Sequence, residues 1–216
     1  MSVTRRPRVL VCDDHVIVGE ALRSLLAPEF DLVGVVEDGR ALIEAAATLR
    51  PDVIVADVSM PQLNGIDALV QLRQSGDDTP VVFLTMHRDV TFARRALEAG
   101  ASGFVLKHSA PVELVTAIRA ALEGRTYLTP RLAGEVLDSM KQAPDKAPDP
   151  VTSLTPRQRE ILQLVAEGRS AKEIASTLSI STRTVEFHKY QMMEALGLHT
   201  NAELIHFAIK HGIVTL

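Results

Sequence analysis

Val53-Ile54-Val55-Ala56-Asp57-Val58-Ser59-Met60-Pro61 is the stretch that decides the fold. Four small or branched apolar residues run without alternation, as in a strand covered on both faces; a carboxylate then cuts the run and Pro61 turns the chain. Four more runs of this kind lie at residues 8–12, 32–36, 81–84 and 103–106. Helical patterns fall near 16–26, 39–49, 66–74, 89–99 and 112–123. Strict alternation of strand and helix predicts an α/β doubly wound five-stranded parallel sheet with right-handed crossovers.

The 216 residues exceed what one small domain needs and suit two. Residues 141–153 hold three prolines, several charges and almost no apolar bulk, which reads as an extended linker. Residues 1–150 carry 16 Lys and Arg against 21 Asp and Glu, whereas residues 151–216 carry 7 against 6. The overall charge of −4 argues against a generic nucleic-acid coat and leaves room for a small DNA reader at the near-neutral end. A hydrophobic content of 46% excludes global disorder. No apolar run approaches the roughly 18 residues that span a bilayer, and the N-terminus has no signal-peptide pattern. The single cysteine, Cys12, excludes an internal disulfide, reads as a packed strand residue and is compatible with a cytoplasmic location.

Open parallel sheets place their sites beyond the carboxyl ends of the strands. Strand one runs into Asp13 and Asp14, strand three into Asp57, strand four into Thr85 and strand five into Lys107. Clustered carboxylates repel unless a hard cation joins them, and an all-oxygen site suits Mg2+. A carboxylate can also attack phosphorus, with a lysine neutralising the phosphoryl oxygens. Asp57, central in the set, is the candidate nucleophile. His15 and His87 flank the site and are expected to line it.

These residues resemble the receiver domain of bacterial two-component response regulators: Asp13-Asp14-His15, Asp57-x-x-Met60-Pro61, Thr85 and Gly103-Phe104-Val105-Leu106-Lys107. The resemblance spans about residues 7–125 and implies that Asp57 is the phosphoacceptor. It implies Mg2+ on Asp14, Asp57 and the backbone carbonyl of Ser59, with Asp13 helping through water. Thr85 and Lys107 would contact the phosphoryl group, and Phe104 would move inward as Thr85 moves. Residues 129–140 read as a connecting helix with an apolar face at Leu132, Val136 and Leu137.

After the linker only helix signals occur. Thr155-Pro156-x-Gln158 is a capping box with proline at the first helical position, and that helix stops at Gly168. Ser170-x-x-Glu173 opens a second, short helix; Ser179-Ile180-Ser181 turns into a third at 182–196, stopped by Gly197; a last one covers 202–210. Two short helices joined by a three-residue turn make a helix-turn-helix, whose second helix enters the DNA major groove. The segments Leu154-Thr155-Pro156-Arg157, Lys172-Glu173-Ile174-Ala175, Thr184-Val185-Glu186-x-His188 and Leu196-Gly197 resemble the LuxR-type helix-turn-helix. Receiver plus this output resembles the response regulators of NarL/FixJ type.

The expected organisation is therefore a receiver at 1–125, a linker with a connecting helix at 126–153 and a DNA-binding domain at 154–216. Candidate DNA contacts are Ser181, Thr182, Arg183, Thr184, Glu186, Phe187, Lys189 and Tyr190. Glu186 either accepts from cytosine or faces solvent; Phe187 either touches a thymine methyl or packs in the core. The expected partners are a sensor histidine kinase, double-stranded promoter DNA, a second copy of the chain once phosphorylated, and RNA polymerase; a membrane is not among them. The expected protein is a transcription factor and not an enzyme. A phosphatase with an aspartyl-phosphate intermediate is disfavoured by Ser59, where such hydrolases place a second acid. A quorum-type sensor is disfavoured by the charged strand ends, and a drifted adaptor would lose sequence-selective binding.

Overall fold

A computed structural model describes residues 5–86, 88–141 and 150–214. His87, and residues 142–149 of the expected linker, lie outside the described residues. The chain divides into two compact units, Met1–Pro144 and Asp145–Leu216.

The first unit runs β1 (Arg8–Cys12), α1 (Val16–Leu26), β2 (Asp31–Val36), α2 (Gly39–Leu49), β3 (Val53–Ala56), α3 (Gly65–Gln74), β4 (Val81–Thr85), α4 (Val90–Glu98), β5 (Gly103–Leu106), α5 (Ala110–Leu122), β6 (Tyr127–Leu128) and α6 (Pro130–Lys141). All strand pairs are parallel, in the order β2-β1-β3-β4-β5-β6. The sheet thus has six strands where five were expected. β6 is only two residues long, too short to carry a periodic signal. It is held against β5 by Tyr127 N–H donating to Ser102 O at 3.0 Å and Thr129 N–H donating to Phe104 O at 3.1 Å.

Alternate residues of the same strands feed two separate cores, which is why the runs show no alternation. Val9, Val11, Val53, Val55, Val82, Leu84 and Val105 pack with α1 and α5. Leu10, Cys12, Ile54, Ala56, Phe83, Phe104 and Leu106 pack with α2, α3 and α4. The second core also contains Leu132 and Val136 of α6, exposed by only 2% and 1%. The expected apolar face of the connecting helix is therefore a wall of the sheet's own core; the side chain of Leu137 lies outside those described.

The second unit comprises α7 (Pro156–Ala166), α8 (Ala171–Thr177), α9 (Thr182–Leu196) and α10 (Asn201–Lys210) around Ile161, Leu162, Leu164, Ile174, Val185, Met192, Leu204 and Ala208. Both expected capping boxes form. Gln158 Oε1 accepts from Thr155 N–H at 2.8 Å, and Glu173 Oε2 accepts from Ser170 N–H at 2.8 Å. A third box, Thr200 with Glu203, opens α10 one residue earlier than the apolar pattern implied. Arg157 donates to Glu160 Oε2 at 2.6 Å and to Leu178 O at 2.8 Å, tying α7 to the end of α8. The turn into α9 places Ser179, a residue with a Cβ, in the left-handed region at φ 53°. No helix among the described residues is long and apolar enough to cross a membrane.

The burial of α6 has a measurable consequence. Leu132→Ala should lower the unfolding free energy by about 2–4 kcal/mol, the usual range for a leucine deleted from a closed core, in urea denaturation followed by circular dichroism. A solvated connecting helix would show almost no loss.

Candidate functional site

Backbone geometry brings the strand ends together. Asp57 N–H donates to Cys12 O at 2.8 Å, and Asp13 N–H donates to Val36 O at 3.0 Å, so the two carboxylates leave adjacent strands side by side. Both are buried, at 5% and 3% exposure, while Asp14 is exposed. Lys107, the first residue of a short 3-10 turn at Lys107–Ser109, reaches back across the edge. Its Nζ donates to Asp57 Oδ2 at 2.7 Å and lies 2.7 Å from Asp13 Oδ2. His15 Nδ1 lies 2.8 Å from Asp14 Oδ1, and the His15 N–H donates to Asp13 Oδ1 at 3.0 Å.

Burial pushes the Asp57 carboxyl above its ordinary range and outweighs the opposing hydrogen bond and charge of Lys107; the neighbouring Asp13 raises it further. Burial pulls the Lys107 ammonium the other way, but hydrogen bonds to Asp13 and Asp57 outweigh that and hold its pKa above the usual value. Lys107 therefore remains a cation between two acids. Ligand atoms of Asp13, Asp14, His15 and Asp57 all lie within 4.8 Å of one another. A set dominated by carboxylate oxygens fits a hard divalent cation such as Mg2+.

The other expected site residues lie on the neighbouring strands β4 and β5 and in the loop after β3. Thr85, fully buried, ends β4 opposite Leu106 in register, and Phe104 is fully buried on β5. The Phe104 ring lies 6.4 Å from that of Phe83, tilted by 56°. Ser59 N–H donates to Asp57 Oδ1 at 3.3 Å; Ser59 is thus two residues from the acid and folded back onto it. Cys12 is packed as expected, its Sγ 3.3 Å from Asp38 O, and burial pushes its thiol pKa up.

One residue that shapes the site escaped the sequence reading. A Cβ on Gly65 would stand 2.1 Å from Asp57 O and 2.9 Å from the Phe83 ring. The segment after Asp57 is drawn onto the start of α3 by Gly65 N–H donating to Val58 O at 2.9 Å, with Asn64 capping the helix. The only available signal was a glycine at the first position of a helix, directly after the capping Asn64.

In the second unit Ser181 caps α9, its Oγ accepting from Thr184 N–H at 3.1 Å and lying 2.8 Å from Thr184 Oγ1. Thr182, Arg183, Glu186, Phe187 and Tyr190 form one exposed stripe, while Thr184 and Lys189 are half-buried. Lys189 Nζ lies 3.4 Å from Glu186 Oε2. Val185 and Met192 face the core, and the half-buried His188 stands edge-on to the Phe187 ring at 6.0 Å.

The family model of the response regulator receiver domain matches residues 9–119, and that of the luxR family of bacterial regulatory proteins matches residues 152–208. The chain belongs to the two-component response regulators. With the receiver first and the luxR-type domain second, it is of the NarL/FixJ type and a DNA-binding transcription regulator. The chain is 32% identical over 207 residues to the response regulator UvrY of Escherichia coli (strain K12), covering 95% of this chain and 94% of that one. It is 36% identical over 218 residues to the transcriptional regulatory protein MctR of Rhizobium johnstonii, covering 99% of each. Among solved structures, that of two RcsB dimers bound to two parallel DNAs is similar at TM-score 0.60 and 27% identity, covering 98% of this chain and 100% of that one.

The lysine of this response regulator can be tested directly. Lys107→Met leaves two buried carboxylates facing each other without a cation. It should cost about 3–5 kcal/mol of stability, as removal of one partner of a buried ion pair does. The Asp57 carboxyl should titrate higher still, read by carbon NMR. Gly65→Ala should also destabilise the receiver, whereas the same change at Gly134, whose Cβ would meet nothing within 4 Å, should not.

Proposed function

We propose that Asp57 is the phosphoacceptor of this response regulator. The observation that carries the reading is a buried carboxylate at the end of the central strand β3 with an ammonium 2.7 Å away. A carboxylate oxygen of Asp57 attacks the phosphorus of a phosphohistidine on a sensor histidine kinase. The P–N bond breaks, and its electron pair leaves with the imidazole. In this reading Lys107 pairs with the transferred phosphoryl oxygens, and the Thr85 hydroxyl donates to them. Asp13, Asp14, Asp57 and the Ser59 carbonyl would hold Mg2+, which when bound supplies positive charge against the phosphoryl oxygens.

Phosphorylation adds up to about two negative charges at this edge. Phe104 is the route outward, because it shares one core with Phe92, Ala93 and Ala96 of α4 and with Leu132 and Val136 of α6. Any shift of its ring repacks both helices, and α6 precedes the DNA-binding unit in the sequence. We assign residues 1–125 to the receiver, 126–153 to the connection and 154–216 to the DNA-binding domain. The output is a homodimer whose two α9 helices read half-sites about one DNA turn apart, with RNA polymerase as the downstream partner in the cytoplasm. Residues Ser181, Thr182, Arg183, Thr184, Glu186, Phe187, Lys189 and Tyr190 make up the DNA-reading surface of α9.

Incubation with Mg2+ and acetyl phosphate should add one phosphoryl group per chain by intact mass, and chelation of the metal should suppress it. Asp57→Asn should take up none. Stable labelling of that variant would overturn the assignment. In the wild type, phosphorylation should raise both the dimer fraction in sedimentation and the affinity for promoter DNA.

A further inference from the structure

The exposed stripe of α9 is unusual for a surface that meets a polyanion. Its two largest members, Phe187 and Tyr190, are 57% and 66% exposed, and neither belongs to the core of its unit. Glu186, on the same stripe, is itself an anion, and Lys189 is turned toward it with only 14% of its side chain exposed. Ser181 and Thr182 open the stripe at the helix N-terminus and Arg183 follows, so donors suited to phosphate stand at one end and aromatic surface occupies the middle. Phe187 and Tyr190 are three residues apart on one helix, hence neighbours on one face. The Phe187 ring stands edge-on to His188, centroid to centroid 6.0 Å.

A phenyl ring neither donates nor accepts a hydrogen bond. Among the groups that base pairs present in the major groove, the one it matches is the 5-methyl of thymine; every other distinguishing group is a polar donor or acceptor. We propose that Phe187, flanked by Tyr190, reads a thymine 5-methyl group in each half-site, so that specificity at that position is apolar. This rests on the assignment of α9 as the DNA-reading helix. The ring's exposure removes the alternative that it is a core residue.

The test uses the full-length chain, treated with acetyl phosphate and Mg2+, and duplexes selected from a random pool at low salt. Each thymine of the preferred site is then replaced singly by uracil, which removes the methyl and leaves the pairing edge intact. At one position per half-site, uracil should weaken wild-type binding about four-fold, the value of one buried methyl group. Phe187→Ala should bind thymine and uracil sites equally, and Phe187→Leu should keep part of the difference. Arg183→Ala should weaken both sites alike. Circular dichroism should show all three variants folded, since the altered side chains are exposed. Selective binding with no uracil-sensitive position, or with sensitivity unchanged in Phe187→Ala, would overturn the inference while leaving α9 as the reader. Absence of any selective binding would overturn the assignment of α9 and the inference together.

Discussion

The ammonium of Lys107 lies within 2.7 Å of carboxylates that arrive on two different strands, and the receiver's site depends on this contact. Without it the Asp57 carboxyl, already raised by burial and by the neighbouring Asp13, would lose the hydrogen bond and charge that oppose that rise. The lysine in turn stays charged in a half-buried position because two acids hold it. The cluster is therefore mutually conditional. Replacing Lys107 raises the Asp57 carboxyl further as well as removing a contact.

The sheet supplies the registration. Strands β1, β3 and β5 deliver their terminal residues to one edge, and Gly65 lets the turn after Asp57 close onto α3 without a side chain in the way. The same strands send alternate side chains to opposite cores. Phe104 is on the core shared with α4 and α6, whereas Val105 is on the core shared with α5. Phe104 is thereby packed in one core with both α4 and α6.

The two units carry charge in different ways. The receiver concentrates acids where a cation and a phosphoryl group can meet them. The DNA-binding unit, with its near-neutral balance, cannot rely on bulk attraction to phosphate, which dominates non-specific affinity. Its helix α9 instead exposes two aromatic rings, Phe187 and Tyr190, and two acids, Glu186 and Glu194. Bringing two such helices together raises affinity without a large positive field.

Most of the architecture was legible in the chain itself. Apolar runs of four to six residues, capping boxes and glycine stops are local signals, so they announced β1 to β5 and α7 to α10 to within a residue or two. The strand-end acids and Lys107 were legible for the same reason, since in a parallel sheet the residue after each strand must lie on one edge. What the tertiary structure alone decided was non-local. β6 exists only because β5 offers a free edge. Leu132 and Val136 are core only because α4 leaves a groove for them. Asp13 is the buried acid because it lies against the Lys107 ammonium and donates its N–H to Val36 O, whereas Asp14 is the exposed one. Gly65 matters only because the Asp57 carbonyl arrives beside it, and Phe187 is solvent-facing because Val185 and Met192 already occupy the core side of α9. Each of these depends on which neighbour reaches a given point in space, and periodicity along a chain does not carry that information.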